Sequence, residues 1–301
     1  MTPSTVDGMI IRGIKQASRR LILVALFFIT LITLLICSTT HKPLQELEIS
    51  PQLLEIPANI IQKSPAKISN YKTSSFFRLN PNHTYYSFGD KEADEFIQKH
   101  MPPNIVQVYM SMPKPILKAD LFRVIAVMIL GGVYSDKDTD CLRPINTWIN
   151  ENDKQKHVRF ITGLEWSNPN NWKSFSARPL QFCMWTFAAI PDHPILRNMV
   201  EKVVTISPQM QALPMSYDRV MNWAGTGIWT DVILDYLEKH HKVKPSKLLA
   251  NLTHPVLIGD DVYVLPKYAF ASHFSPKRNQ DPEARIVHYF EGSWKKDKDM
   301  T

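Results

Sequence analysis

The segment at residues 117–130 restricts the fold most, because its sequence, LKADLFRVIAVMIL, is apolar on nearly every side. A helix of this composition has to be buried inside a domain. The glycine pair at 131–132 is suited to end that helix. The β-prone segment after it leads into an acidic loop with Asp136, Asp138 and Asp140. The pattern predicts a buried helix, a tight turn, a short strand and an acidic loop, in that order.

Strand and helix patterns alternate along much of the rest of the chain. Short apolar segments predict strands at 56–62, 158–164 and 262–266. Longer segments predict helices at 90–99, with Asp90 as N-cap, and at 180–190, 194–206 and 228–241. Strands that alternate with helices are typical of an α/β fold with a mostly parallel sheet.

The N-terminal region contains a segment that could cross a membrane. Residues 21–37 are 17 residues without a charge, and four basic residues lie within the ten positions before them. A bilayer needs about 20 residues, so this is a short span that suits the thinner early secretory membranes. The basic residues predict a cytosolic tail at 1–20 and translocation of the rest.

A cleaved signal peptide is the alternative interpretation of this segment. Its apolar core is normally shorter, and the sequence CSTTH after the segment is a poor cleavage site. We therefore expect a retained single-pass type II anchor at 21–37, a stem at 38–55, a luminal domain at 56–296 and a polar tail at 297–301.

Charge and cysteine content narrow the remaining classes of function. The first 42 residues hold five basic residues and one acidic residue, which account for four of the seven net positive charges. A nucleic-acid-binding protein would concentrate basic charge on its folded part, so nucleic acid is not an expected partner. Asn82 and Asn251 begin N-glycosylation sequons. Cys141 and Cys183 could form a disulfide in a lumen or remain as buried thiols.

The acidic loop has three interpretations. An EF-hand needs Gly at position 6 and Glu at position 12, and counting from Asp136 these positions hold Cys141 and Thr147. That excludes the EF-hand. An exposed, Asp-rich turn is the second interpretation. The third is a site where carboxylates at the end of a strand hold a divalent metal and a diphosphate.

Asp120 and Arg123 tilt the choice toward a ligand site. They lie at positions i and i+3 of the predicted buried helix and therefore share one face. Burying charge is costly, so the pair is either a structural ion pair or faces a polar ligand beside the acidic loop.

These residues together read A-D-x-x-R-x(7)-G-G-V-Y-x-D-x-D at 119–138. The pattern resembles the sugar-nucleotide-binding region of glycosyltransferase family 32, whose members have a GT-A fold, a Rossmann-like nucleotide-sugar-binding domain. The segments at 178–196, 227–237 and 288–295 also resemble parts of the fungal initiation-specific α-1,6-mannosyltransferases. The resemblance covers about residues 56–296.

The resemblance implies a Golgi enzyme that transfers mannose from GDP-mannose to a mannose of an N-glycan, with Mn²⁺ and retention of configuration. Asp138 would bind the metal, and Asp136 would contact the ribose or the sugar and share the metal. His288 would complete the metal's ligands, since imidazole accompanies carboxylates on Mn²⁺. Asp140 would support the loop.

The remaining roles implied by the resemblance concern the two substrates. Asp120 and Arg123 would hold the donor sugar and nucleotide, and Trp294 and Lys295 would close over the diphosphate. Glu165 and Gln181 are candidate acceptor or donor-sugar contacts. For His288, Trp185, Trp229 and Trp294, ordinary packing is the alternative explanation.

One departure and two alternatives follow. At 224–226 the chain has Ala-Gly-Thr, where the family usually has Thr-Gly-Pro, so we expect a freer loop there.

The acceptor could instead be inositol phosphoceramide, although related lipid-directed members carry further spans. The chain could also be a non-catalytic subunit of a mannosyltransferase complex.

Overall fold

The computed structural model describes residues 55–168, 170, 172–174, 176–272 and 281–292. These residues belong to one compact unit, which spans Pro51–Thr301. The predicted tail, anchor, stem up to residue 54, Trp294, Lys295 and the residues after them lie outside the described ranges. Within those ranges, no helix has the length and apolar character needed to cross a bilayer.

The strands form one large sheet and one small ribbon. Their bounds are β1 (Asn59–Lys63), β2 (Thr84–Phe88), β3 (Gly132–Ser135), β4 (Thr139–Cys141), β5 (Phe160–Ser167), β6 (Leu180–Phe182), β7 (Thr186–Ala189), β8 (Val256–Ile258), β9 (Val262–Leu265) and β10 (Ile286–His288). The large sheet has the order β2-β1-β3-β7-β5-β9-β8, and β6 pairs with β5 beside this path. The ribbon consists of β4 and β10, which are antiparallel.

Eight α-helices lie in the described part of the chain. They are α1 (Ser75–Leu79), α2 (Asp90–His100), α3 (Pro103–Met110), α4 (Pro115–Leu130), α5 (Pro194–Gln211), α6 (Tyr217–Trp223), α7 (Thr226–His241) and α8 (Pro245–Leu248). Short 3₁₀ turns occur at Tyr71–Thr73, Ile145–Thr147, Glu151–Asp153 and Trp172–Ser174. The predicted α/β class is confirmed, and Gly89, one residue before the predicted Asp90, is the N-cap of α2.

The predicted helix at 180–190 is wrong, because this segment forms β6 and β7. β7 runs antiparallel between β3 and β5, whereas β1 is parallel to β2 and β3, and β5 is parallel to β9. The sheet is therefore mixed. Two separate clusters of buried side chains cover its two faces. A strand buried on both faces is continuously apolar, which sequence periodicity cannot distinguish from a buried helix.

Two glycines form the tight turn between α4 and β3, the strand that leads into the acidic loop. Gly131 and Gly132 have φ angles of 62° and 102°, which glycine adopts without strain. A Cβ atom on Gly132 would lie 2.5 Å from the carbonyl oxygen of Asn59. The Asn59 amide also donates to the Leu130 carbonyl at 2.9 Å. The glycine pair thus allows the end of the buried helix to pass directly against β1.

Cys141 and Cys183 are both buried free thiols. Of the two states that the sequence left open, the structure has the reduced one. Burial raises the pKa of the Cys141 thiol to about 12, and it raises the pKa of Cys183 as well. Neither side chain has the character of a reactive thiolate.

Candidate active site

The carboxyl ends of β1, β3 and β5 lie at one edge of the large sheet, because these three strands run in the same direction. A cavity of about 410 Å³ opens at that edge. In open α/β sheets this is where ligands bind. The cavity is lined by every predicted site residue of the described chain: Asp120, Arg123, Asp136, Asp138, Glu165, Gln181 and His288.

Three of these residues form a candidate metal site. Asp136, Asp138 and His288 each offer a ligand atom, and these atoms lie within 4.8 Å of one another. Asp136 and Asp138 follow β3, whereas His288 ends β10 and lies opposite Thr139 in the ribbon. The pairing of β4 with β10 therefore brings the third ligand from the far end of the chain. Two carboxylates and an imidazole suit a divalent metal such as Mn²⁺.

His288 is held by ring contacts more than by hydrogen bonds. Its ring centroid lies 4.5 Å from that of Trp185 and 3.9 Å from that of Phe290. Its Nε2 is 3.2 Å from Asp138 Oδ2. Its Nδ1 is buried and has no hydrogen-bond partner in the described ranges. A buried polar nitrogen without a hydrogen-bond partner carries a cost in free energy.

Asp138 is anchored by the segment after β10. The backbone N–H of Tyr289 donates to the Asp138 carbonyl at 2.9 Å, and the N–H of Glu291 donates to Asp138 Oδ2 at 3.1 Å. Burial raises the pKa of Asp138, but the hydrogen bond to His288, the charge of that residue and the Glu291 N–H outweigh it. The net effect lowers the pKa of Asp138. The side chain is therefore kept as a carboxylate, the form that binds metals.

Arg123 lies between two carboxylates. Its Nη2 is 3.0 Å from Asp120 Oδ1 and 3.3 Å from Asp136 Oδ1, and its Nη1 donates to the Met184 carbonyl at 3.3 Å. The hydroxyl of Tyr134 donates to the same Asp136 oxygen at 2.8 Å. Burial raises the pKa of Asp120, and Arg123 opposes that rise. Asp120 and Arg123 form a buried ion pair and also line the cavity. The structural ion pair and the ligand-facing pair that the sequence suggested are therefore the same arrangement.

Asp140 lies outside this cluster and braces the loop. Ser75 donates to its Oδ1 at 2.8 Å, and the Tyr289 hydroxyl donates to its Oδ2 at 2.7 Å. Both oxygens therefore hold neighbouring segments together. This geometry agrees with the supporting role predicted for Asp140.

The segment at 224–226 forms a tight junction between α6 and α7. Gly225 donates its N–H to the Val220 carbonyl at 3.0 Å. A Cβ atom on Gly225 would lie 2.8 Å from that carbonyl oxygen and 3.4 Å from Asp120 Oδ2. The close approach of the glycine backbone keeps the start of α7 beside the buried pair, and Thr226 lines the cavity.

Sequence reasoning missed several residues that line the cavity: Lys63, Lys137, Tyr217, Phe290 and Glu291. Lys63 ends β1, and Lys137 lies between the two candidate metal-binding aspartates. Phe290 and Glu291 lie in the segment whose resemblance pointed to His288, so its backbone contacts were within reach. Tyr217 begins α6 and carried no local signal. Trp185 also lines the cavity, whereas Trp229 is fully buried in the core.

The chain is similar in sequence to known glycosyltransferases. The family described as "Glycosyltransferase sugar-binding region containing DXD motif" matches residues 66–155. The chain is 36% identical over 271 residues to the initiation-specific alpha-1,6-mannosyltransferase of Schizosaccharomyces pombe, a match that covers 85% of this chain and 68% of the relative. It is 32% identical over 250 residues to the Candida albicans protein of the same name, covering 72% of this chain and 64% of the relative.

Among solved structures, the chain is similar to the PaToxG glycosyltransferase. That similarity has a TM-score of 0.43 and 15% identity, and it covers 64% of this chain and 74% of the other. The family match at 66–155 contains the buried pair and the two candidate metal-binding aspartates that follow β3, whereas Glu165, Gln181 and His288 lie beyond it.

Proposed function

This chain belongs to the family of the initiation-specific alpha-1,6-mannosyltransferases, and from that membership we propose that it transfers mannose from GDP-mannose to a mannose of an N-linked glycan. It is a glycosyltransferase. The reaction forms an α-1,6 linkage with retention of configuration and requires Mn²⁺. The mixed sheet with its ligand cavity at the carboxyl ends of β1, β3 and β5 supports a GT-A fold.

The observation that carries this proposal is the convergence of Asp136, Asp138 and His288 in one cavity beside Arg123. Carboxylates in such close proximity repel one another unless cations lie between them. Arg123 supplies one positive charge at 3.3 Å from Asp136. A divalent metal held by Asp136, Asp138 and His288 would supply a second source of positive charge.

The residues that line the cavity have separate proposed roles in binding a diphosphate-linked sugar. Asp136, Asp138 and His288 would hold Mn²⁺, which when bound neutralises the charge of the diphosphate leaving group. Arg123, fixed by Asp120 and the Met184 carbonyl, orients Asp136 and adds positive potential. Lys137 lines the same cavity and would add positive charge near the diphosphate. Trp294 and Lys295 are proposed to cover the diphosphate from the C-terminal side.

The location of the enzyme is part of the proposal. Residues 21–37 would anchor it as a single-pass type II protein of the Golgi membrane, with the catalytic domain in the lumen. The exposed sequon residues Asn82 and Asn251 fit a luminal body. Membership of a larger mannosyltransferase complex is compatible with this placement.

The test is a donor screen with the full 301-residue chain, Mn²⁺ and a labelled oligomannose N-glycan, followed by linkage analysis of the product. We expect mannose transfer from GDP-mannose, no transfer from UDP-sugars, and loss of activity with EDTA that added Mn²⁺ restores. Inositol phosphoceramide is assayed beside the glycan, and a preference for the lipid would replace the acceptor.

Calorimetry with GDP and Mn²⁺ separates an enzyme from a subunit without catalysis. Metal-dependent GDP binding is the expected result. A correctly folded chain that binds no GDP in the presence of Mn²⁺ would refute the proposal and favour the non-catalytic role.

A further inference from the structure

Glu165 and Gln181 lie on the opposite side of the candidate metal site from β1. Glu165 is near the end of β5 and Gln181 is in β6. In the large sheet β1 is on one side of β3, and β5 lies beyond β7 on the other. The cavity therefore has a β1 wall with Lys63 and a β5–β6 wall with Glu165, separated by the aspartates that follow β3.

Gln181 has nearly used its capacity for hydrogen bonds. Its Oε1 accepts from the N–H groups of Ala177 and Arg178 at 2.7 and 3.2 Å. Its Nε2 donates to Glu165 Oε2 at 2.6 Å. Only 3% of the residue is exposed. An amide oxygen accepts two hydrogen bonds, so Gln181 is fixed in place and holds one oxygen of Glu165.

Arg178 extends this support to α7. Its Nε and Nη2 donate to the two oxygens of Asp231 at 2.7 and 2.6 Å, and its Nη2 also donates to Asn222 at 2.8 Å. This bidentate pairing holds the backbone at 177–178, whose N–H groups orient Gln181. Glu165 is thus positioned through a chain of contacts that begins on α7.

Tyr217 and Glu165 both line the cavity. Tyr217 is the first residue of α6 and is 39% exposed. Burial raises the pKa of its hydroxyl, and the negative charge of Glu165 raises it further. Met221, one turn later on α6, lines the same wall.

The chemistry of this wall differs from that of the metal site. A carboxylate repels a diphosphate but accepts hydrogen bonds from sugar hydroxyls. Apolar and aromatic surfaces pack against the C–H faces of a sugar ring. The wall therefore fits a neutral hexose, and Tyr217 leaves part of it exposed to solvent.

We propose that Glu165 and Tyr217 form the binding subsite for the acceptor mannose, with Gln181 and Arg178 as positioning residues for Glu165. This inference rests on the proposed mannosyl transfer and specifies its acceptor side. Glu165 accepts hydrogen bonds from acceptor hydroxyls, and the Tyr217 ring packs against the sugar. Gln181 acts through Glu165 without contacting the sugar.

The test measures KM values of the full chain for GDP-mannose and for a labelled oligomannose N-glycan. We expect Glu165→Gln to raise the glycan KM about tenfold or more while the GDP-mannose KM stays within about twofold. Tyr217→Ala should also raise the glycan KM, and Tyr217→Phe should restore it because the ring is retained. Glu201→Gln, an exposed change on α5, is the matched control.

The positioning role predicts non-additivity. Gln181→Met should raise the glycan KM, and the double variant Gln181→Met, Glu165→Gln should be no worse than Glu165→Gln. Urea unfolding of each variant separates this effect from a loss of folding. Equal rises in both KM values, or additive effects, would overturn the inference. A wild-type chain that transfers no mannose refutes the proposed function itself.

Discussion

At the scale of single residues, Arg123 connects the helix that passes beneath the cavity to the acidic loop above it. It contacts one carboxylate on its own helix and one after β3. Its side chain is only 7% exposed, so its charge is poorly screened by water. A charge in this environment stabilises the protein only while its partners are present.

Removing Arg123 alone should therefore destabilise the fold. Arg123→Met leaves Asp120 buried beside Asp136, and we expect a loss of about 3–5 kcal/mol in the free energy of unfolding. Asp120→Asn together with Arg123→Met should cost clearly less than the sum of the two single changes. Urea unfolding of all four chains measures this difference, and simple additivity would contradict the coupling.

Asp138 provides a second prediction at the residue scale. Asp138→Asn preserves the shape of the side chain but removes the charge, so we expect transfer to fall by about a hundredfold or more. Calorimetry should show weaker Mn²⁺-dependent binding of GDP. The control is Asp235→Asn, an exposed change on α7 that should leave both quantities as they are. Normal turnover in folded Asp138→Asn would remove Asp138 from the metal site.

Single residues also show the limit of sequence reasoning. Asp120, Arg123, Asp136 and Asp138 fall within one motif of local spacing, and the structure brings them together in the cavity. Tyr217 reaches the same cavity from a helix 79 positions after Asp138, through packing that no short pattern encodes. A motif specifies neighbours along the chain, and only the fold specifies neighbours across it.

At the scale of elements, the region around β6 and β7 was the main failure of prediction. Residues 180–190 are almost all apolar, and β7 is buried on both faces between β3 and β5. Helix α4 is equally apolar and was predicted correctly, because the glycines after it indicated where it ends. The segment at 180–190 contains no such boundary residue, and its two strands are too short to show a period.

A buried carboxylate joins several elements at the other end of the sheet. Asp261 is fully buried immediately before β9. Its Oδ1 lies 3.0 Å from Arg159 Nε and 3.1 Å from His193 Nε2. Its Oδ2 accepts from the Tyr236 hydroxyl at 2.6 Å and lies 3.1 Å from His241 Nε2. These contacts connect β9 to the segment before β5, to the N-terminus of α5 and to α7. Burial raises the pKa of Asp261, but its donors outweigh burial, and the pKa is held well below its usual range.

This cluster makes stability depend on pH. Burial lowers the pKa of His193 below 6.5, and its Nδ1 accepts from the Ile195 N–H as a neutral ring. Below about pH 6.5 the unfolded chain takes up a proton that folded His193 resists, so stability should fall as the solution is acidified. The depressed pKa of Asp261 acts in the same direction at lower pH, since its contribution is lost on acidification below about pH 4.

Urea unfolding between pH 5 and 7.5 measures this dependence. His193→Gln offers an oxygen acceptor and an N–H donor but does not titrate, so it should flatten the slope in this range. An identical slope in this variant would show that other groups cause the dependence.

At the scale of the whole molecule, the predicted topology can be tested through the two sequons. Asn82 and Asn251 are both exposed, and a luminal body would present both to the glycosylation machinery. We expect the chain expressed in a eukaryotic cell to shift in mobility after endoglycosidase treatment. Asn82→Gln and Asn251→Gln should each remove part of that shift. A wild-type chain in membranes that carries no glycan and is digested by added protease would contradict the luminal placement.

The pairing of β4 with β10 determines when the candidate metal site can form during synthesis of the chain. In the part of the chain that the structure describes, every strand of the large sheet precedes residue 266, whereas the pairing of β10 with β4 brings His288 beside Asp138. A nascent chain therefore contains these strands of the large sheet before it contains all three residues of the candidate metal site. The candidate site can therefore hold a metal through all three residues only after synthesis has passed residue 288.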